Sequence, residues 1–145
     1  MAGKAKKIVS AVLILVAVAA VVGYYCWNKP HQNIAGSEGI KTEATALYKI
    51  FIADSVAAKK NYLQQVLQVK GIVNGISKNQ QNQTVVKIKT GIEGAYINCT
   101  MEEEAAMAKE GNEVIIKGIC EGIGEGDAEM GIMGDVYLVR CYLVK

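Results

Sequence analysis

The chain has 145 residues, 51% of them hydrophobic and 21% charged, with one proline and four cysteines. It is long enough for one domain, short for two, and neither disordered nor disulfide-dense in composition. Its net charge of +2 belongs to four lysines flanking one apolar run, Lys4, Lys6, Lys7 and Lys29, while residues 38–145 carry 12 basic against 14 acidic side chains, which removes any inference from global charge to a nucleic-acid partner.

Eighteen of the twenty residues from Ile8 to Trp27 are apolar. As a helix they span about 30 Å, the thickness of the bilayer hydrocarbon. Three lysines precede the run, and Tyr24, Tyr25 and Trp27 close it, a positive flank followed by an interfacial aromatic belt. The expected organisation is a cytoplasmic basic flank at 1–7, a transmembrane anchor at 8–27, a tether at 28–41 containing Pro30 and His31, and an extracytoplasmic domain at 42–145. A leader cleaved after Ala17-Val18-Ala19 is the alternative, but Val21 and Val22 continue the run where a polar stretch would follow a cleavage site. A lipidated Cys26 fits poorly, because Tyr24-Tyr25 places large rings where small residues are needed.

After the tether, Thr42 is placed to cap a helix whose apolar residues Ala44, Leu47, Ile50, Phe51 and Ala58 recur at helical spacing, and Asp54 to cap a second helical stretch reaching Tyr62 and Leu63. From Val66 the period becomes two, with Leu67, Val69, Gly71 and Val73 on one face of a first strand. Ser77–Gln83 is a polar hairpin loop, and Thr84–Thr90 returns with Val86 and Ile88 inward and Lys87 and Lys89 outward. A turn with Gly91 and Gly94 leads to a third strand, Ala95–Thr100, with Ile97 and Cys99 on one face and Tyr96 and Asn98 on the other. Thr100-Met101-Glu102-Glu103 reads as a capping box opening a short helix that ends at Gly111. A fourth strand, Glu113–Glu121, carries Val114, Ile116, Gly118 and Cys120 in phase. A glycine-rich connection, Gly122–Gly134, precedes a fifth strand, Asp135–Val144, with Val139, Cys141 and Leu143 sharing a face.

Five short strands with one helix between the third and fourth is the order of the OB-fold, a small Greek-key barrel. The expected class is therefore mainly β (α+β), a transmembrane helix followed by a five-stranded barrel with an N-terminal helical segment. A ferredoxin-like fold would need a helix where Ser77–Gln83 stands.

The segments Ala46-Leu47-Tyr48, Ala53-Asp54, Tyr62-Leu63, Ile97-Asn98-Cys99, Lys117-Gly118-Ile119-Cys120 and Asp135-Val136, with Cys141, resemble in their order the tRNA-anti-like OB-fold family, which includes bacterial envelope lipoproteins of unknown function. The resemblance spans about residues 42–144. The chain departs from it with Arg140 in place of the usual asparagine before the last cysteine, and in having no lipidation site. It implies the barrel and an envelope location, and no activity.

An OB-fold binds ligands through the face of its second and third strands. Here that face offers Lys87, Lys89, Tyr96 and Asn98, a thin version of a nucleic-acid groove, and Glu125, Asp127 and Glu129 in the last connection would repel phosphates. Cys99, Cys120 and Cys141 fall on the inward phase. Two readings stay open for them, a Cys120–Cys141 disulfide across the last hairpin in an oxidising compartment and free buried thiols acting as small hydrophobes. Without a Cys-x-x-Cys pair, and with His31 in the tether, a redox or Cys-His centre has no assembled partners. The acids of Gly122–Gly134 miss the spacing of a calcium loop. The leading expectation is a non-catalytic, cofactor-free, membrane-anchored binding module for an envelope protein or glycan. The alternatives are a single-strand nucleic-acid binder and a thiol or metal site built on Cys99, Cys120 and Cys141.

Overall fold

The computed structural model describes residues 2–28, 33–127 and 129–144, and the chain forms two compact units that divide between Gln32 and Asn33. Lys29, Pro30 and His31 of the expected tether lie outside the described residues.

In the first unit the apolar run and its basic flank form one helix, α1, Ala2–Trp27. Its segment Lys6–Trp27 has a mean hydropathy of 2.5 and is long and apolar enough to cross a membrane, as an anchor or a leader would be. The hydroxyl within the run is satisfied by the helix itself: Ser10 Oγ donates to Lys6 O at 2.9 Å.

The second unit opens with a turn at Asn33, whose carbonyl accepts from the amides of Gly36 and Ser37, and buries Ile34. Lys117 Nζ fastens this turn by donating to Ala35 O at 3.3 Å and Ser37 O at 2.8 Å. Strand β1, Ile40–Glu43, follows, parallel to the start of β2, Val66–Lys78. Ile40 and Lys41, read from sequence as the end of the tether, are thus strand. Thr42, expected as a helix cap, is held extended by the same pairing, and α2, Ala44–Ala53, starts beyond Glu43 without a side-chain cap. The buried stripe of α2 is Ala44, Leu47, Tyr48 and Phe51, with Ile50 on its exposed edge. Asp54 caps α3, Ser55–Tyr62, as its position suggested: its Oδ1 accepts from Val56 N at 3.1 Å and Ala57 N at 3.0 Å.

Five strands close the barrel: β2, then β3 at Thr84–Lys89, β4 at Tyr96–Met101, β5 at Glu113–Ile123 and β6 at Val136–Leu143. The pairings β2–β3, β3–β4, β5–β6 and β2–β5 are antiparallel, and a parallel β4–β6 ladder closes the ring, with β1 as a sixth strand beside β2. This is an OB-like fold. The alternation read from sequence governs its interior: Leu67, Val69, Val73, Val86, Ile88, Ile97, Cys99, Ile116 and Cys120 are all buried. Gly71 occupies an inward position where a Cβ would run into Ile88 and Ala44, which is how α2 approaches the sheet so closely.

Two further expectations are corrected. No helix forms between β4 and β5 among the described residues. The β4 ladders extend through Thr100, opposite Val85, and Met101, opposite Cys141, and the amide of Glu102 still donates to Cys141 O at 3.0 Å. These bonds consume the residues of the supposed capping box. What remains before Gly111 runs as successive turns. The second correction is the phase of β6. Lys117 faces Tyr142 while Ile119 faces Val139, so two steps on β5 match three on β6, and the extra residue lies at Arg140, whose φ is +51°. Of the evenly spaced Val139, Cys141 and Leu143, Cys141 is buried and Leu143 packs against the core beyond the bulge, whereas before it the inward positions are Val136 and Leu138 and not Val139.

Gly118 meets the other side of this bulge: a Cβ there would collide with Cys141 Sγ and crowd Val139 O. Gly118→Ala is expected to lower stability by about 2 kcal/mol in chemical denaturation, whereas Gly75→Ala, where a Cβ would meet nothing within 4 Å, should stay within about 0.5 kcal/mol of the parent.

Candidate functional site

The outward positions of β3, β4 and β6 form one face because each alternates against a buried neighbour. Val86 and Ile88 point inward, leaving Lys87 and Lys89 outward; Ile97 and Cys99 leave Tyr96 and Asn98; Val136 and Leu138 leave Tyr137. Cross-strand registry then sets Lys87, Asn98 and Tyr137 in one row and Lys89 and Tyr96 in the next. All four residues expected on the ligand face are thus brought together. Lys87 Nζ lies over the Tyr96 ring, 5.9 Å from its centroid, a cation–π contact.

Tyr137, 44% exposed, is a member of this face that the even phase of Val139, Cys141 and Leu143 would have turned inward. Asp135 is the second residue that sequence reading missed. Its Oδ1 accepts from Tyr96 N at 2.9 Å and its Oδ2 from Asn98 Nδ2 at 2.8 Å, joining the entry of β6 to the outer face of β4. Only the amide nitrogen can donate to a carboxylate, so the orientation of Asn98 is fixed. Its Oδ1 is buried without a hydrogen-bond partner among the described residues, in a residue only 7% exposed. Tyr48 ties α2 to the same region, its hydroxyl donating to Gly134 O at 2.8 Å. Burial, then the Asp135 carboxylate, raises the Tyr48 phenol above its ordinary value, which keeps that donor protonated.

Of the acids of the β5–β6 connection, Asp127 has local partners. Asp127 and Ile132 exchange backbone hydrogen bonds of 2.8 Å, and Asp127 Oδ1 accepts from Glu129 N and Met130 N. Asp127 therefore organises a small hairpin, with Met130, Ile132 and Met133 exposed along it. Among the described residues no group of three or more His, Cys, Asp or Glu is arranged to hold a metal ion.

Cys99, Cys120 and Cys141 are buried and unbridged. Cys120 stands opposite Leu138, and Cys141 follows after the bulge, against Gly118 and within hydrogen-bonding reach of the Cys99 thiol. Burial chiefly, with the Cys99 thiol and the Glu102 carboxylate adding to it, holds the Cys141 thiol well above its ordinary value. Burial also raises Cys120, against an opposing backbone hydrogen bond at Gly122. Neither is a poised nucleophile, since thiol reactivity requires the thiolate.

The tRNA_anti-like family model matches residues 1–129. The chain belongs to that family. A Klebsiella pneumoniae crystal structure described as a "putative nucleic acid-binding lipoprotein" superposes with a TM-score of 0.54 at 15% identity, covering 81% of this chain and all of that one. A Leishmania major "putative aspartyl-tRNA synthetase" aligns at 9% identity over 87% of this chain and 25% of that one, with a TM-score of 0.39. No curated protein matches the chain.

In a Cys26→Ser background, the three barrel thiols are expected to be inert to a thiol reagent in the native state and to count three after denaturation without reductant. A count of one would establish a bridge. Because the folded value of Cys141 lies above the unfolded one, its contribution to stability is full below the ordinary thiol value and is lost as pH rises from there toward the raised value. The denaturation midpoint should accordingly fall between pH 7 and pH 10, and fall less in Cys141→Ala. Asp135→Ala leaves the Tyr96 amide and the Asn98 side chain without their acceptor and is expected to cost about 1–3 kcal/mol of unfolding free energy, read from denaturant titrations.

Proposed function

We propose that this member of the tRNA_anti-like family is a non-catalytic binding module. Residues 8–27 anchor it to the membrane, the basic flank 1–7 lies in the cytoplasm, and residues 28–41 join the anchor to an extracytoplasmic domain, residues 42–145. Its ligand is an envelope glycan laid across β3, β4 and β6. The observation that carries this reading is the grouping of Tyr96 and Tyr137 around Asn98 on one sheet face. The C–H face of a sugar ring packs on a tyrosine ring. Asn98 Oδ1, an acceptor without a partner among the described residues, would receive a ligand hydroxyl once its neighbours on this face make room. Lys87 and Lys89 supply further donors, and the Asp135 carboxylate on the same seam offsets their charge in part.

Single-stranded nucleic acid is the second reading, favoured by the two lysines and by the description of the Klebsiella structure. The two ligands differ in their dependence on salt. The test uses the full chain in nanodiscs of zwitterionic lipid, titrated with a hexamer of N-acetylglucosamine and with a twelve-residue oligothymidylate. The glycan is expected to bind with an affinity indifferent to salt that falls about tenfold in Tyr96→Ala and in Tyr137→Ala. An oligonucleotide engaging both lysines would instead show a log–log salt slope of about −1.4. Tighter, salt-dependent binding of the oligonucleotide would favour the second reading, and binding of neither would remove this face as the site for both.

A further inference from the structure

A second surface lies at the end of the barrel where β4 and β6 part. A groove of about 670 Å³ opens there, among the chain after Met101, the start of β5 and the end of β6. It is open because of what fills that end. In the turns that replace a helix, only Ala105 and Ala108 are buried, and two methyl groups leave a depression between these turns and the ends of β5 and β6. Met101 and Val114, both buried, lie at its base, Leu143 is half-buried beside them, and Met107, 72% exposed, stands along it. Methionine is soft and unbranched, suited to repacking against an incoming side chain.

Among the described residues, the charged side chains lining this groove are Glu103, Glu104 and Glu113, with no lysine, arginine or histidine beside them. Lys70 compensates Glu113 at 3.4 Å, and Arg140 is engaged with the neighbouring Glu102 at 3.9 Å. Glu103 and Glu104 have no ion pair among the described residues. Uncompensated carboxylates beside an apolar floor complement a chain that alternates cations with apolar side chains, and repel an acidic peptide or a phosphate backbone. From this charge complementarity we propose that the groove docks an extended basic–apolar segment of a partner protein, its apolar side chains on Met107 and Leu143, over Met101 at the base, and its lysines or arginines at Glu103 and Glu104. This site is separate from the β3–β4–β6 face and does not rest on the ligand proposed there.

The methionines provide the test, since Met101 and Met107 line the groove while Met130 and Met133 belong to the β5–β6 connection. The full chain, carrying ¹³C-labelled methionine methyl groups in zwitterionic nanodiscs, is titrated with the blocked peptide acetyl-KLKLKL-amide and with its acidic counterpart acetyl-ELELEL-amide. The basic peptide is expected to shift the Met101 and Met107 methyl signals saturably and leave Met130 and Met133 in place, and the acidic one to shift neither pair. The double variant Glu103→Lys, Glu104→Lys should weaken the basic peptide about tenfold. Both glutamates are exposed, so the variant should fold, and unchanged Met130 and Met133 signals would verify that it does. No shift at Met101 and Met107, shifts as strong with the acidic peptide, or an affinity untouched by the charge reversal would each overturn the proposal.

Discussion

The parallel ladder between β4 and β6 is the constraint on which the rest of this structure depends. Every other pairing in the barrel is antiparallel and built by neighbours or by β5 folding back on β2. The β4–β6 seam joins segments nearly forty residues apart, and without it the sheet would keep two open edges. Two features hold it: Asp135, which accepts from the Tyr96 amide and the Asn98 side chain at the entry of β6, and the bulge at Arg140, which lets Leu138 and Cys141 both face the core. A carboxylate accepting at two points is a stronger clasp than any single neutral hydrogen bond there.

The seam also composes the candidate ligand face. It places Tyr137 beside Asn98 and fixes the Asn98 amide, and the same fixation leaves Asn98 Oδ1 without a partner. A buried acceptor left unmet costs stability, and such a cost is more readily understood on a surface that receives a ligand than in a purely structural sheet. The cation–π contact of Lys87 with Tyr96 keeps a charged side chain on the face without committing it to a carboxylate.

At the other end of the seam the strands separate, with two consequences. Cys141 passes the bulge to lie beside Cys99 and Gly118 instead of facing Cys120 across the hairpin, and its burial makes it a core side chain. The residues expected to begin a helix are spent on strand pairing, so small alanines close this end of the barrel and the acidic, methionine-lined groove stays open beside them. The barrel thus presents two surfaces of different chemistry, a sheet face with tyrosines and lysines and an end groove with carboxylates over an apolar floor.

The sequence by itself determined the apolar helix, the strand alternation from Leu67 through Cys120, the Asp54 cap and the resemblance to the tRNA-anti-like family, because each is written in local periodicity or in a short cap. Lys87, Lys89, Tyr96 and Asn98 were legible as a face for the same reason. Tertiary structure alone decided the pairing of Ile40–Glu43 with β2, the loss of the helix after Met101, the phase of β6, and with that phase Tyr137, Asp135 and the placement of Cys141. Those features depend on hydrogen bonds between distant segments. A ladder can hold a capping-box sequence extended, and one residue with positive φ can reverse every assignment beyond it, and neither effect leaves a periodic trace in the chain.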